Sequence, residues 1–243
     1  MNALLLAAGK GTRLRPLTEH TPKCLVTVGG LPLMDIWLAG LWQAGFTRFL
    51  INTHHLSKIV EAYLARHPLH ASVETVFETE LLGTAGTLAA NKDFCMQGTT
   101  LIAHADNFCM CDWSQFLHAH AHRPAGTVMS MMTFRTPTPQ SCGIVQLDSR
   151  RVVERFFEKP SLPPDNLANA AIYLIEPAVM ELLLASNPPM TDISTELIPK
   201  LLGKINTWHN DETVIDIGTE ASLQYANDVC RDLAYSFSGS IVS

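Results

Sequence analysis

Apolar residues fall along this chain in two kinds of run, short and unbroken or spaced at helical intervals, and the two alternate. Ala3 to Ala8 is an unbroken apolar stretch closed by Gly9. That pattern predicts a strand buried on both faces of a parallel sheet. Gly9-Lys10-Gly11-Thr12 is then a loop. Leu33, Ile36, Trp37, Leu41 and Ala44 recur at helical spacing, and Gly45 stands where a C-cap belongs. Phe49 to Ile51 predicts a second strand, Leu56 to Arg66 a helix, and Ser72 to Phe77 a third strand. Thr84 to Asn91 reads as a helix, and Thr99 to Ala103 as a buried strand ending just before Asp106. Trp113 to His122 reads as a helix and Thr127 to Thr133 as another strand. Strands alternating with helices predict a doubly wound sheet, whose ligands sit beyond the carboxyl ends of its strands. The loops at Gly9 and Asp106 both follow strands at that edge.

The pattern changes in the second half. Gly143 to Leu147 and Val152 to Phe157 are strand-like and separated by a short polar turn, and Pro160, Pro163 and Pro164 mark a loop. Ala170 to Ile175 predicts a strand, Pro177 opens a helix, and Ile193 to Leu202 reads as a helix with a kink at Pro199. Thr213 to Ile217 predicts a last strand, and an amphipathic helix runs from Glu220 to about Tyr235. The polar segment 236–243 reads as a fraying tail. No internal repeat or interdomain linker stands out. Trp37 and Trp42 read as packing residues.

Composition narrows the class. With 243 residues, 47% hydrophobic and 16% charged, the chain can bury a sizeable core in one α/β domain. The net charge of −6 argues against a general affinity for nucleic acid, which needs many phosphate-neutralising cations. The apolar run at the N-terminus is short for a signal peptide and no basic segment precedes it. No stretch approaches the ~20 apolar residues of a membrane span. The six cysteines form no CxxC pair, so reduced thiols in a cytoplasmic protein are the simplest expectation. Among His118, His120 and His122 only the first and last share a helical face, which favours structural or solvated roles over a metal site. His54 and His55 read as loop residues after a strand.

The most informative segment is Leu6-Ala7-Ala8-Gly9-Lys10-Gly11-Thr12-Arg13-Leu14-Arg15-Pro16-Leu17-Thr18, followed by Thr21-Pro22-Lys23. Its glycines let the backbone approach a ligand closely, and backbone amides there can cradle phosphate oxygens. Arg13, Arg15 and Lys23 add cations suited to phosphate charge. The Walker ending Gly-Lys-Ser/Thr is missing, and Leu14 replaces the third glycine of the dinucleotide fingerprint. This run, together with Glu158-Lys159-Pro160 and Asp216-Ile217-Gly218-Thr219, resembles the sugar-nucleotidyltransferase (nucleotidyl transferase) family over nearly the whole chain. That family includes glucose 1-phosphate thymidylyltransferases and mannose 1-phosphate guanylyltransferases.

The resemblance implies an α/β fold of three layers, with a Rossmann-like, mixed and mostly parallel sheet flanked by helices. It implies one domain over 1–235, with a nucleotide-binding half of about 1–135 and a sugar-phosphate-binding half of about 136–235. The implied activity is magnesium-dependent transfer of a nucleotidyl group from a nucleoside triphosphate to a sugar 1-phosphate, releasing pyrophosphate. Arg13 and Lys23 take the catalytic roles by similarity. Leu6, Ala8, Gly9, Gly11, Thr12, Arg13 and Gly83 are implied to hold the nucleotide, with Leu82-Gly83-Thr84-Ala85-Gly86 as the base-contacting loop. Asp106 and Asp216 match the family's two metal-binding carboxylates, although His104-Ala105 stand where the family often has Asn-Gly. Gly143, Glu158, Lys159 and Asn169 fall to the sugar phosphate. Carboxylate oxygens suit Mg²⁺, which takes the rest of its shell from water and substrate phosphates. A phosphate monoester is already an anionic nucleophile, with its second pKa at about 6, so no general base is needed.

The segment Asp192 to Pro199 fits either an interface or a sugar-side helix. The base and sugar are not fixed by these motifs, with guanine slightly favoured. The partners expected are the two substrates, with no nucleic acid or membrane, and assembly into a homo-oligomer is left open. Two other readings remain: a non-catalytic nucleotide-sugar-binding regulatory protein, and a cytidylyltransferase of a non-sugar phosphate.

Overall fold

The computed structural model describes residues 1–231. In chain order the elements are β1 (Asn2–Leu6), β2 (Thr27–Val28), β3 (Leu31–Pro32), α1 (Leu33–Gln43), β4 (Arg48–Thr53), α2 (Ser57–Leu64) and β5 (Val73–Phe77). Then come α3 (Thr84–Ala90), α4 (Lys92–Cys95), β6 (Thr100–His104), β7 (Asn107–Cys109), α5 (Trp113–Ala121), β8 (Met129–Arg135), β9 (Gly143–Leu147) and β10 (Val153–Glu158). The last are β11 (Leu167–Ile175), α6 (Pro177–Leu184), α7 (Ile198–Lys200), β12 (Ile205–His209), β13 (Val214–Asp216) and α8 (Glu220–Arg231). The fold is α/β, a mixed sheet flanked by helices. The expected end of the last helix at Tyr235 and the tail 236–243 lie outside the described residues.

The chain forms two compact units interleaved in sequence. One comprises Met1–Leu4, Leu82–Ala103 and Cys111–Glu212; the other comprises Leu5–Leu81, His104–Met110 and the chain from Thr213 onward. In the second unit β4 and β5 run parallel, Phe49 opposite Val73 and Thr53 opposite Phe77. All of β1 is buried, as the unbroken apolar run requires. The helix α1 ends where Gly45 takes φ 90°, a left-handed conformation open to glycine at little cost. Trp37 is 3% exposed and donates its indole N–H to the Asn107 carbonyl at 2.9 Å, so it packs as expected. Trp42, one turn after the buried Leu38, is at the rim of the buried face of α1 and keeps 43% exposure.

The first unit supplies the antiparallel part of the expected mixed sheet. Its central strand β11 runs antiparallel to β6, β8 and β9, and β9 pairs antiparallel with β10. The strand β12 adds to β8 in parallel, Ile205 opposite Met129. The segment expected as a helix over Ile193 to Leu202 is helical over 193–200, a wide π-type turn, Ile193–Leu197, running into the single α turn α7. Pro199 has no N–H to donate, and Asp192 fixes the start of the wide turn by accepting from Thr195 N at 2.8 Å. His120 is buried, bonded to Ser130 Oγ at 2.8 Å and Glu176 Oε1 at 2.8 Å, which makes it a structural residue. Burial lowers its pKa, opposed by the bond to Glu176 and aided by the charge of Arg123. The His118 and His122 rings lie against each other, with centroids 4.0 Å apart. No helix among the described residues is long and apolar enough to cross a membrane.

Candidate active site

The glycine-rich segment after β1 is held by hydrogen bonds to neighbouring strands. At the end of β1, Leu6 accepts from Ala105 N at 3.0 Å, which fixes the residue before Asp106 beside the loop. Ala7 donates its N–H to Asn52 Oδ1 at 2.7 Å, and Asn52 Nδ2 donates to Glu78 Oε1 at 2.9 Å. Asn52 is 3% exposed, at the end of the apolar β4. Sequence reasoning missed it, although one amide inside an apolar strand is the kind of residue that needs a partner. Beyond Ala8 the chain turns at Gly11, φ 61°, where a Cβ would lie 2.9 Å from Thr18 Cγ2. Thr18 Oγ1 donates to the Gly11 carbonyl at 2.7 Å. A one-turn helix, Thr12–Leu14, follows, with Leu14 buried and Arg13 exposed.

Two carboxylates converge because two short strands pair. β13 runs antiparallel to β7 with Asp216 opposite Asn107, so Asp106, next along the chain, comes beside Asp216. Phe108 of β7 and Ile215 of β13 share an apolar cluster with Leu14, Val28, Leu33, Ile217, Ala226 and Cys230. That cluster ties the Arg13 turn and α8 to the same short sheet.

Lys23 joins the two acids. Its Nζ lies 2.8 Å from Asp106 Oδ2 and 3.2 Å from Asp216 Oδ1, and its side chain is only 6% exposed. Arg13 Nη2 reaches Asp216 Oδ2 at 2.9 Å. This approach needs Gly218, where a Cβ would lie 2.6 Å from the Arg13 guanidinium carbon. Burial works to raise the Asp216 pKa, but the charge of Lys23 and the bond from Arg13 outweigh it and hold the carboxyl below the usual range. Gly9 brings the loop backbone up to Asp106, its Cβ position 3.6 Å from Oδ2. Cys24, next to Lys23, is an inert thiol: burial, reinforced by Asp106, pushes its pKa up to about 12. The structure thus brings Arg13, Lys23, Asp106 and Asp216 together beside Leu6, Ala8, Gly9, Gly11 and Thr12.

Both acids offer the oxygen donors a hard divalent cation prefers, and in this structure both are paired with the Lys23 ammonium. Among the described residues no group of three or more His, Cys, Asp and Glu forms a metal-binding cluster. A cation bound at the carboxylate pair would therefore complete its shell from water and phosphate.

The sugar-side candidates lie on three neighbouring strands of the other unit. Gly143 of β9 stands opposite Glu158 of β10, and a Cβ on Gly143 would collide with the Phe156 ring and meet Glu158 Oε2 at 3.0 Å. Lys159 takes φ 43° and donates its N–H to the Cys142 carbonyl at 3.2 Å. Its exposed ammonium lies 3.6 Å from Glu158 Oε1. Asn169 of β11 accepts from Ala171 N at 2.9 Å and donates to Tyr173 Oη at 2.7 Å, where β11 departs from regular pairing with β8. Asn169 thus braces this irregularity, which the sequence did not signal. Gly83, also in this unit, opens α3 with φ 76°.

The family model described as nucleotidyl transferase matches residues 2–232. The mannose-1-phosphate guanylyltransferase catalytic subunit beta of Drosophila melanogaster is 31% identical over 223 residues, spanning 89% of this chain and 59% of the relative. The mannose-1-phosphate guanylyltransferase of Mycobacterium tuberculosis is 28% identical over 242 residues, spanning 97% of this chain and 66% of the relative. The chain thus spans about six tenths of the length of the curated relatives it matches. A crystal structure described as a glucose-1-phosphate thymidylyltransferase from Bacillus anthracis, in complex with a sucrose, superposes with a TM-score of 0.83 at 24% identity, covering 96% of both chains. That likeness concerns the fold.

Proposed function

Because this chain belongs to the nucleotidyl transferase family, we propose that it transfers a nucleotidyl group from a nucleoside triphosphate to a sugar 1-phosphate. The products are a nucleotide-sugar and pyrophosphate. The observation that carries the reading is the single buried ammonium of Lys23 shared by Asp106 and Asp216, directly beside the glycine loop. A chemistry in which two anions must meet requires charge to be neutralised and reactants aligned more than it requires a general base.

The roles follow from the positions. Backbone amides of the Gly9–Thr12 loop bind the triphosphate. An oxygen of the sugar phosphate attacks the α-phosphorus in line, and pyrophosphate leaves from the opposite side. Arg13, exposed and forked, stabilises the leaving pyrophosphate. Lys23 transfers its charge from the carboxylates to the reacting phosphates, and Lys159 orients the sugar phosphate while Glu158 and Asn169 meet its hydroxyls. Mg²⁺ is the cofactor we assign to Asp106 and Asp216, where it would supply Lewis-acid neutralisation of the α-phosphate. The names of the similar proteins make guanosine triphosphate with a mannose-type 1-phosphate the first pair to try. Six free thiols suit the reducing cytoplasm as the site of the reaction.

The test is a matrix of GTP, UTP, dTTP, CTP and ATP against hexose, amino-sugar and heptose 1-phosphates, with phosphocholine included, reading pyrophosphate with and without Mg²⁺. Turnover of at least one sugar phosphate is expected. Nucleotide-sugar binding without turnover of any pair would make the protein a regulatory binder, and turnover of phosphocholine alone would replace the sugar.

A further inference from the structure

The motifs leave Asp192 to Pro199 open between an interface and a sugar-side helix. The hydrogen bonds of this segment lead elsewhere. Gly83 opens α3 at φ 76°, and a Cβ on it would collide with the Thr191 carbonyl oxygen. That same oxygen accepts from Ala85 N at 2.9 Å and Gly86 N at 3.4 Å. Thr84 Oγ1 accepts from Ile193 N at 2.8 Å and donates to Asp192 Oδ2 at 3.3 Å. Every residue of the Gly83–Gly86 loop therefore contacts the Thr191–Ile193 backbone or the Asp192 side chain.

This backbone is in turn fixed by one carboxylate. Glu196 Oε2 accepts from Thr191 N at 2.5 Å, Asp192 N at 3.0 Å and Thr191 Oγ1 at 3.3 Å. The backbone bond from Thr191 is the main cause that holds the Glu196 carboxyl below its usual range. Asp192 Oδ1 takes Thr195 N and Thr195 Oγ1 at 2.8 and 2.9 Å, closing the turn from the other side.

We propose that Glu196, acting through Thr191 and Asp192, is a positioning residue for the nucleobase loop, so that this turn tunes nucleotide rather than sugar-phosphate recognition. The proposal rests on the reading that the Gly83 loop meets the base. Its physical basis is economy of motion. A glycine followed by the first turn of a helix approaches a ligand closely, but the N–H groups of that turn have no partner within the helix. An external frame held by charge-assisted bonds supplies partners before the ligand arrives, which lowers the ordering cost of binding.

The experiment compares wild type with Glu196→Ala, Glu196→Gln and Thr84→Val in steady-state pyrophosphate release on the pair the wild type uses. Glu196→Ala raises KM for the triphosphate roughly tenfold, the size expected from losing about one charge-assisted bond after water replaces the rest. KM for the sugar phosphate stays within about twofold, and Glu196→Gln, which keeps an acceptor oxygen, recovers most of the nucleotide affinity. Thr84→Val shifts the triphosphate KM in the same direction. A shift confined to the sugar-phosphate KM, or a lowered melting temperature with both KM values unchanged, overturns the proposal. Isothermal titration of GTP, UTP and dTTP reads the same frame without turnover. A wild type that binds one of them but releases no pyrophosphate refutes the proposed reaction, and the Kd ratio of the variants then decides the frame on its own. A wild type that binds none of the three refutes both.

Discussion

Replacing Lys23 by Met removes the one cation that two carboxylates share. Two effects oppose each other. Met fills a similar stem volume and ends the desolvation of an ammonium whose side chain is only 6% exposed, which favours the variant. Against this, Asp106 and Asp216 are left close together, with Arg13 on Asp216 and the His104 ring 4.0 Å from Asp106 beside them. Their side chains keep 23% and 51% exposure, so water recovers part of the lost attraction. The net loss falls below the ~3–5 kcal/mol of a fully buried broken pair, and we place it at about 1–2 kcal/mol at pH 7. The sign of the pH dependence follows from Asp216. Its folded pKa lies below the ordinary 3.8, because Lys23 and Arg13 outweigh the upward push of burial. A depressed carboxyl contributes stability that is present above its unfolded pKa and is lost as pH falls through the folded one. The advantage of wild type over Lys23→Met is therefore full at pH 7 and shrinks below about pH 4. Urea unfolding followed by tryptophan fluorescence at pH 7 and near pH 3 measures both gaps. A gap of equal size at the two values, or a variant more stable than wild type at pH 7, would refute the electrostatic account of this cluster.

Other residues make separate predictions. Gly218→Ala puts a methyl against the Arg13 guanidinium and moves it off Asp216. Because that pair is exposed, melting is nearly unchanged while kcat falls by ~10²–10³, which thermal melting and turnover read side by side. Asn52→Ala leaves the Ala7 amide and the buried Glu78 without this partner and costs about 2 kcal/mol in denaturant unfolding; a change within about 0.5 kcal/mol would show that the bridge is slack. Lys159→Ala raises KM for the sugar phosphate at least tenfold with the triphosphate KM unchanged, and a selective loss of nucleotide affinity would contradict its assigned role.

What the sequence revealed and what it hid have a common physical origin. The unbroken run Ala3 to Ala8 announces β1 because burial on both faces leaves no other pattern. Gly143 to Leu147 matches β9 to the residue, since a turn and a proline loop punctuate its neighbourhood. The strands β2, β3 and β7, two or three residues long, are too short to show a period, and β13 emerges only within a slightly longer apolar run. Yet the pairing of β7 with β13 is what brings Asp106 and Asp216 to Lys23, so the motif named the residues without giving the reason they meet. The left-handed Ala171 near Asn169 was hidden for another reason: nothing in a run of alanines marks where a strand leaves regular pairing. Glu196 sat in a stretch that reads as an ordinary helix, and only the three-dimensional course of Thr191 reveals its partners.

The most direct measurement is pyrophosphate release by Asp106→Asn over a Mg²⁺ titration, with the fold checked by circular dichroism. The substitution keeps the shape of the side chain and removes the negative charge that faces Lys23 Nζ at 2.8 Å. The account predicts a folded protein whose turnover falls by ~10²–10³ and is not restored by saturating Mg²⁺. Turnover near that of wild type, with an unaltered Mg²⁺ dependence, would contradict it.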